Sequence, residues 1–547
     1  MTFVGNLGYV AVAIVGSILA VAGILVRVIG LVYRVPLNNI LGNSGISAYA
    51  TAYDVYSLFL LISSLSLPLA VSKIVSARMA KKQIRNAYHA FIGSMVLASI
   101  VGFIVGSGVY FGADWLAKAW KFPSAALAIK VLAPTLFVMC ILGVLRGFFQ
   151  GLGTMVPTAV SQIFEQIVNA VVSIGAAMYL YKVGEKVGQE NAYSAAGGTL
   201  GTACGALAAL VFMVFLYFMQ RKNFLNKVSH DRTSVNESFA ELSKILAITI
   251  LPVLLSTTIY NFSNIIDSGI YGNVMSGIFG QQESEYSGYW GIYSNKYRLL
   301  TTAPIAIASA FSSAMIPSLI KSLVSGKNRE LRKKVDSTIR LNMIIAIPCG
   351  AGLSVLAEPI IKVLFPGPDL YEECVLLMRL AVFSVVVFSL STITNSILQG
   401  IDRMKVPVIH SSISLALHIV VILFLLAVLK LNVYGVAIAD IIFGLVVCIL
   451  NARAIKRYLK YRQEIVKTFI LPGLSAAIMG AGAYGFYRLL FLLTGMTAVA
   501  LLAAIVFAMI LYGILLLVFN VVSEEEIRMI PKGYKLIPLI KKMGLLK

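Results

Sequence analysis

FFQGLGTMVP at residues 148–157 and ILQGIDRMKVP at 397–407 each close one apolar run and open the next. Gly and Pro in such positions mark tight turns. Gln150 and Gln399 lie 249 residues apart, Met155 and Met404 keep the same offset, and so do Pro68 and Pro317 further upstream. One coincidence of turn residues would be noise, but three at one offset are an internal repeat. The spacing predicts a chain that builds one kind of unit twice.

The material of that unit follows from composition. Of 547 residues, 59% are hydrophobic and 12% charged, and mean hydropathy is +0.89, which places the chain among polytopic membrane proteins. A spanning helix needs about 20 apolar residues. Fourteen runs qualify, at 9–33, 48–76, 88–112, 125–150, 157–182, 196–219, 245–272, 289–320, 338–361, 373–399, 408–429, 433–455, 468–492 and 497–521. The repeat offset is then six spans. An even shift preserves direction across the bilayer, so the two halves are expected to be parallel repeats. This all-α organisation divides into a six-helix lobe at 1–222, a cytoplasmic linker at 223–244, a second six-helix lobe at 245–457, and two extra spans with a basic tail at 458–547.

A net charge of +22 invites a nucleic-acid reading, but the 45 Lys and Arg residues follow loop parity. Connections after even-numbered spans, together with the tail, hold 32 of them, which by the positive-inside rule puts both termini in the cytoplasm. The basic residues are therefore read as orientation signals beside anionic lipid, with no nucleic-acid partner. No Lys or Arg precedes Arg27, so the first run lacks the charged start of a cleaved signal and is retained as a span. The five cysteines are scattered without CxxC spacing, and the four histidines show no i, i+4 pair, so neither a metal site nor a disulfide framework is expected. No phosphate loop occurs, so any driving force is an ion gradient, the membrane potential or the substrate's own gradient.

Within the spans the charges are few and placed. Arg27 and Arg34 stand on span 1, Asp54 on span 2, Asp267 on span 7, Lys296 and Arg298 on span 8, all in the outward half of their spans. An isolated charge in the bilayer costs about 2.5 kcal/mol or more, so such groups face a cavity or a partner. Four cations against two carboxylates suit an anionic ligand, phosphate or pyrophosphate, for which Arg offers a bidentate fork. Span 5 adds Gln162, Glu165, Gln166 and Asn169 at i, i+3, i+4 and i+7, one polar face. That face either lines the cavity, holding sugar hydroxyls or a coupling cation, or is structural, with Glu165 paired to Arg146. Arg379 and Asp440 read as an ion pair within the second lobe. Pro68, Pro304 and Pro317 are hinge candidates. Gly197, Gly201 and Gly205 have the small-xxx-small spacing of closely packed membrane helices.

Two stretches carry a family resemblance: RVIGLVYRVPLNNILGNSGISAYATAYDVYSLFLLISSLSLPLAVSKIVS at 27–76 and LRGFFQGLGTMVPTAVSQIFEQIV at 145–168. They resemble the stage V sporulation protein B type of polysaccharide transporters, in the multidrug, oligosaccharidyl-lipid and polysaccharide flippase superfamily that includes Gram-positive lipid II flippases. The resemblance implies a V-shaped pair of lobes that moves an undecaprenyl-pyrophosphate-linked sugar from the inner to the outer leaflet of the bacterial cytoplasmic membrane. It implies no enzyme activity and no cofactor beyond a possible coupling cation. It further implies a monomer in contact with membrane lipids and with cell-wall synthesis enzymes. Arg27, Arg34 and Arg298 fall where such flippases carry arginines, with Lys296 beside them. An arginine early in span 2 of those flippases is matched here by Asp54. The two C-terminal spans resemble those proposed to form a groove for the lipid tail.

The expected function is thus a lipid-linked oligosaccharide flippase, with Arg27, Arg34, Arg298 and Lys296 on the pyrophosphate and Asp54, Asp267 and Glu165 as coupling candidates. The rivals are a cation-coupled drug exporter, which would favour an acidic and aromatic cavity, and a membrane glycosyltransferase, which would need a larger outer loop bearing catalytic acids. The longest outer loop, around 272–288, holds only Glu283 and Glu285.

Overall fold

The computed structural model describes residues 2–63, 67–234, 262, 263, 265–326 and 328–522. Nearly all of them are helical. That follows from the composition, because backbone N–H and C=O groups in a lipid environment must be satisfied inside their own segment. Among the described residues ten helices are long and apolar enough to cross a bilayer, and they fall on spans 3–6 and 9–14 of the sequence reading. Spans 1, 2 and 8 fall on further helices, while much of span 7 lies outside the described residues. The chain divides into two compact units, Met1–Gly291 and Ile292–Lys547.

In the first unit, helix α1 covers Thr2–Ser63, α2 Leu67–Ala80, α3 Ile84–Ala119, α4 Ala126–Gly151, α5 Val156–Glu185 and α6 Glu190–Ser229. Helix α7 follows at residues 265–273, and α8 at Glu283–Gly291. The sequence reading ends span 1 at 33 and begins span 2 at 48. The helix instead continues through that gap, interrupted only at Gly42 (φ 66°, ψ 178°). Such a backbone conformation is essentially open to glycine alone.

Helices α5 and α6 are held together by the glycine row. A Cβ on Gly197 would meet the Ala176 carbonyl at 2.5 Å, one on Gly201 the Asn169 carbonyl at 2.5 Å, and one on Gly205 the Glu165 carbonyl at 2.6 Å. Absent side chains let the two backbones touch, which is how membrane helices gain packing without a hydrophobic driving force. A second core lies where α2, α3, α4 and α6 meet: Val71, Ile74 and Val75 pack with Phe91, Leu145, Phe148 and Met213. The Phe91 and Phe148 rings are 4.2 Å apart.

Helix α6 extends nearly three helical turns beyond the apolar run, to Ser229, and the chain after it is docked. Asp231 accepts hydrogen bonds from the Arg85 N–H at 2.8 Å, the Ser234 hydroxyl at 2.6 Å and the Thr233 N–H at 2.7 Å. The Ser234 hydroxyl, then these two backbone donors, hold its carboxyl well below the usual carboxylate range. The Thr233 hydroxyl donates to the Lys82 carbonyl at 2.7 Å, so residues 231–234 clasp the turn between α2 and α3.

In the second unit a π-helical turn, Ile292–Tyr297, leads into α9, Arg298–Val324. Then come α10 Asn328–Val355, α11 Ala357–Leu364, α12 Tyr371–Met378, α13 Ala381–Gly400, α14 Lys405–Leu423, α15 Asn432–Leu459, α16 Leu471–Thr494 and α17 Thr497–Val518. Span 10 is therefore two pieces, α12 and α13. Helices α16 and α17 stack through Phe486 and Phe507, whose rings are 4.5 Å apart, and the Tyr512 hydroxyl donates to the Ile344 carbonyl of α10 at 3.1 Å. Their far faces expose Leu492, Leu493 and Leu502, as lipid-facing helices do.

The repeated turns have the same backbone. After α4, Leu152 N–H donates to Phe148, Gly153 to Gln150 and Thr154 to Phe149; after α13, Ile401 donates to Ile397, Asp402 to Gln399 and Arg403 to Leu398. Each donor and acceptor of one turn lies 249 residues from its counterpart in the other. The middle residue has positive φ in both, 88° at Gly153 and 61° at Asp402. Helices α5 and α14 begin at the same offset, at Val156 and Lys405.

Candidate functional site

Each unit carries basic groups from the sequence reading, and each is described in its own surroundings. In the first unit, Arg34 lies half-buried on α1 among the phenols of Tyr33, Tyr49 and Tyr53, with a hydrogen bond to Tyr33. Tyr49 and Tyr53 stand one helical turn apart on the segment after Gly42, with ring centroids 4.7 Å apart, and the Tyr53 hydroxyl is hydrogen-bonded to Thr202 of α6. Asn169 of α5 is buried, donates to the Tyr33 hydroxyl at 3.3 Å and accepts from the Ser173 hydroxyl at 2.9 Å. The Gly201 contact places that asparagine, because a side chain there would push α5 away. The result is a continuous polar wall across α1, α5 and α6, with one guanidinium set among ring hydroxyls. Its neighbours are phenols, whereas a structural ion pair would have set a carboxylate there.

The rest of the span 5 stripe divides. Glu165 forms an ion pair with Arg146 of α4 at 2.7 Å, and Arg146 also donates from Nε to the Ser161 hydroxyl at 2.9 Å. Gln166 approaches Gly30 of α1, while Gln162 is half-buried. Arg27 is exposed at the surface of the unit, and Asp54 is half-buried. Asp267 is fully buried on α7, next to Ser268, whose hydroxyl accepts from the Trp120 indole at 3.1 Å. Pro68 stands at the start of α2, after residues 64–66, which lie outside the described residues.

In the second unit the π-turn does the positioning. Its i→i+5 register stacks residues five apart, and Arg298 accordingly lies over the Tyr293 ring, 5.4 Å from its centroid. The Tyr293 hydroxyl donates to the Asp440 carboxylate, and Tyr297 bonds Ser384 at 2.5 Å. Lys296 lies over the Phe365 ring at 5.4 Å. Such cation–π contacts are worth about 0.5–2 kcal/mol. Pro304 is buried within α9, and Pro317 lies in the same helix.

One expected pair is not there. Arg379 is exposed and lines a cavity with Glu358 and Tyr484, whereas Asp440 is buried and takes its bond from Tyr293. Opposite charges on spans 10 and 12 suggest the pair, but Arg379 stands exposed at the C-cap of α12 while Asp440 is buried against Tyr293. The tyrosines, conversely, were not singled out in the sequence. Tyr33 directly precedes Arg34 and Tyr293 precedes Arg298 by five, yet Tyr is an ordinary membrane residue. Only the fold reveals them as the groups that hold the arginines.

With the geometry in place, comparison with known proteins is specific. The family model described as "Polysaccharide biosynthesis protein" matches residues 16–323, and the MatE model matches residues 299–424. The chain is 27% identical over 477 residues to the lipid II flippase MurJ of Bacillus subtilis (strain 168), covering 83% of this chain and 84% of that protein. It is 24% identical over 528 residues to stage V sporulation protein B of the same organism, covering 94% and 96%. A solved structure of lipid II flippase MurJ in an inward closed conformation superposes with a TM-score of 0.67 at 14% identity, over 92% of this chain and 98% of that one. That likeness shows the fold. The resemblance read from residues 27–76 and 145–168 is borne out over most of the chain: this multi-pass membrane protein belongs to the polysaccharide biosynthesis protein family.

Proposed function

We propose that the protein is a flippase that carries an undecaprenyl-pyrophosphate-linked oligosaccharide, lipid II foremost, from the inner to the outer leaflet of the bacterial cytoplasmic membrane. The observation that carries this reading is the setting of Arg34, an intramembrane guanidinium surrounded by tyrosine hydroxyls. Phenols orient it and share its desolvation without cancelling its charge, as suits a group that must meet a diphosphate. Arg298 on its tyrosine ring, with Lys296 and Arg27, completes the basic set in this proposal. The name of the Bacillus subtilis lipid II flippase supports the same cargo class.

In this reading the chain crosses the membrane fourteen times, as two parallel six-helix lobes in a V with α16 and α17 alongside, and both termini are cytoplasmic. The headgroup enters from the inner side, the arginines hold the diphosphate, the span 5 amides meet sugar hydroxyls, and the polyprenyl tail stays in lipid. Rocking of one lobe against the other, with bending near Pro68, Pro304 and Pro317, opens the outer side. A cation or the membrane potential, at about 2.3 kcal/mol per charge per 100 mV, resets the carrier. Asp54, Asp267 and Glu165 are the coupling candidates, the last in an ion pair with Arg146.

The test is complementation of a bacterium depleted of its lipid II flippase. Wild-type protein is expected to restore growth and lipid II turnover. Arg34→Ala at equal abundance is expected to reduce turnover about tenfold or more, since a hydrogen bond to a charged group contributes ~1.5–3 kcal/mol. Arg34→Lys should retain part of it, a single point charge replacing the fork. Normal turnover in Arg27→Ala, Arg34→Ala and Arg298→Ala alike would overturn the site. Absence of rescue by the wild type would instead move the cargo to another cell-surface or spore polysaccharide precursor. The MatE match favours a second reading, a cation-coupled multidrug exporter; expression would then raise resistance to cationic drugs and leave lipid II turnover unaffected.

A further inference from the structure

A cavity of about 330 Å³ opens at the basic ends of α14 and α15, in the second unit alone. Arg453 and Arg457 line it from α15, one turn apart on one face; Val406, Ile409, Leu450 and Tyr458 supply apolar walls. Arg403 lies over the Tyr458 ring at 4.7 Å, so a third guanidinium stands at the rim. Among the described residues neither Arg453 nor Arg457 is in an ion pair, and no acidic side chain lines the cavity. His410 closes one side, fixed by a 2.7 Å hydrogen bond to Asn451, which in turn donates to Asn395 at 2.7 Å. The site is therefore built, not a loose fringe of lysines.

Below the cavity an apolar track continues along the same helix. Ile409, Ile413, Leu417 and Val420 recur at helical spacing on α14, and all are exposed. A basic mouth above an exposed aliphatic stripe, at the end that the positive-inside rule assigns to the cytoplasmic leaflet, matches a phosphate joined to acyl chains. We propose that this cavity binds the phosphodiester headgroup of a resident anionic phospholipid, with one acyl chain on the Ile409–Val420 stripe. A free phosphate would use the arginines and ignore the stripe, and a zwitterionic lipid would bring an ammonium to a site with no carboxylate. The proposal concerns α14 and α15 and does not depend on the cargo.

The experiment uses the full-length protein purified in detergent and scored by native mass spectrometry for retained phosphatidylglycerol and phosphatidylcholine. Wild-type protein is expected to retain phosphatidylglycerol in preference. Arg453→Gln and Arg457→Gln should each weaken that retention about fivefold, the effect of one juxtamembrane basic residue near anionic lipid. Arg488→Gln, an exposed arginine on α16, should leave it unchanged. Ile413→Asn should weaken both lipids together, because it alters the stripe and not the charge. Equal retention of both lipids by the wild type would overturn the proposal. So would undiminished retention in the double Gln variant that elutes as wild type on gel filtration, displacement by millimolar inorganic phosphate, or clear preference for a polyprenyl diphosphate.

Discussion

At the scale of single residues, two kinds of position decide this protein. One kind is charged and was legible from sequence, because an arginine in an apolar run is rare and costly. Arg34 and Arg298 stood out for that reason, while Tyr33, Tyr49, Tyr53 and Tyr293 did not. Phenols are commonplace in membrane helices, and those around Arg34 converge only after the chain folds back past Gly42. The other kind is a missing side chain. The glycine row of α6 was legible as spacing, and the structure places it against the α5 backbone, under 2.7 Å from where each Cβ would sit. Gly201→Leu is therefore expected to force α5 and α6 apart and unseat Asn169 and Ser173. In detergent, thermal unfolding should fall by several degrees, with membrane abundance reduced severalfold, a result of overpacking by about 1–3 kcal/mol or more. Gly175→Leu, at a position where a Cβ meets nothing within 4 Å, is the control and should be silent.

At the scale of elements, the two quoted turns show what sequence likeness means physically. Identity survives at Gln, the following Gly and Met, but what is kept besides is the set of three backbone hydrogen bonds and a positive φ at the middle residue. Glycine meets that φ freely at 153, whereas Asp402 occupies it with a Cβ, which Asp tolerates better than most residues. The exchange should thus be asymmetric. Gly153→Ala is expected to destabilise by about 1 kcal/mol, and Asp402→Gly to be neutral or stabilising by a few tenths. Thermal melts of the two variants, run side by side, read the difference. Hydropathy located the helices and misjudged their ends for a related reason. Apolarity fades after residue 219, yet α6 continues to Ser229, because a helix leaving the bilayer needs only its own backbone bonds and good helix formers such as Lys, Arg and Gln at intervals. The same holds for α10, which begins at Asn328, ten residues before the apolar run begins at 338.

For the whole molecule, charge distribution and helix count argue together. The parity of basic residues predicts that the end of α6 and the turn after α5 lie on opposite sides of the membrane. A cysteine at Ser229 should react with an impermeant maleimide only in inverted vesicles, and one at Gly188 only in intact cells. The native background is low, since Cys140, Cys374 and Cys448 are buried and Cys204 and Cys349 half-buried. Labelling of both from the same side would overturn the predicted orientation. The fold class, the family and most spans could be read in advance, since bilayer thickness imposes a length on every apolar run. The pairing of Arg379 with Asp440 could not, because which way a side chain leaves its helix depends on packing that no spacing rule encodes.

The break at Gly42 has one more consequence. Where most neighbouring membrane helices are joined by several slack residues, here a lone swivel links two stiff rods, so neither rod can slide along its axis without dragging the other. Arg34 sits two turns to one side of that joint, and Tyr49 and Tyr53 sit two to three turns to the other. The grip of the rings on the guanidinium is thus set by two bonds of a single amino acid, and any side chain at the joint would strain that setting.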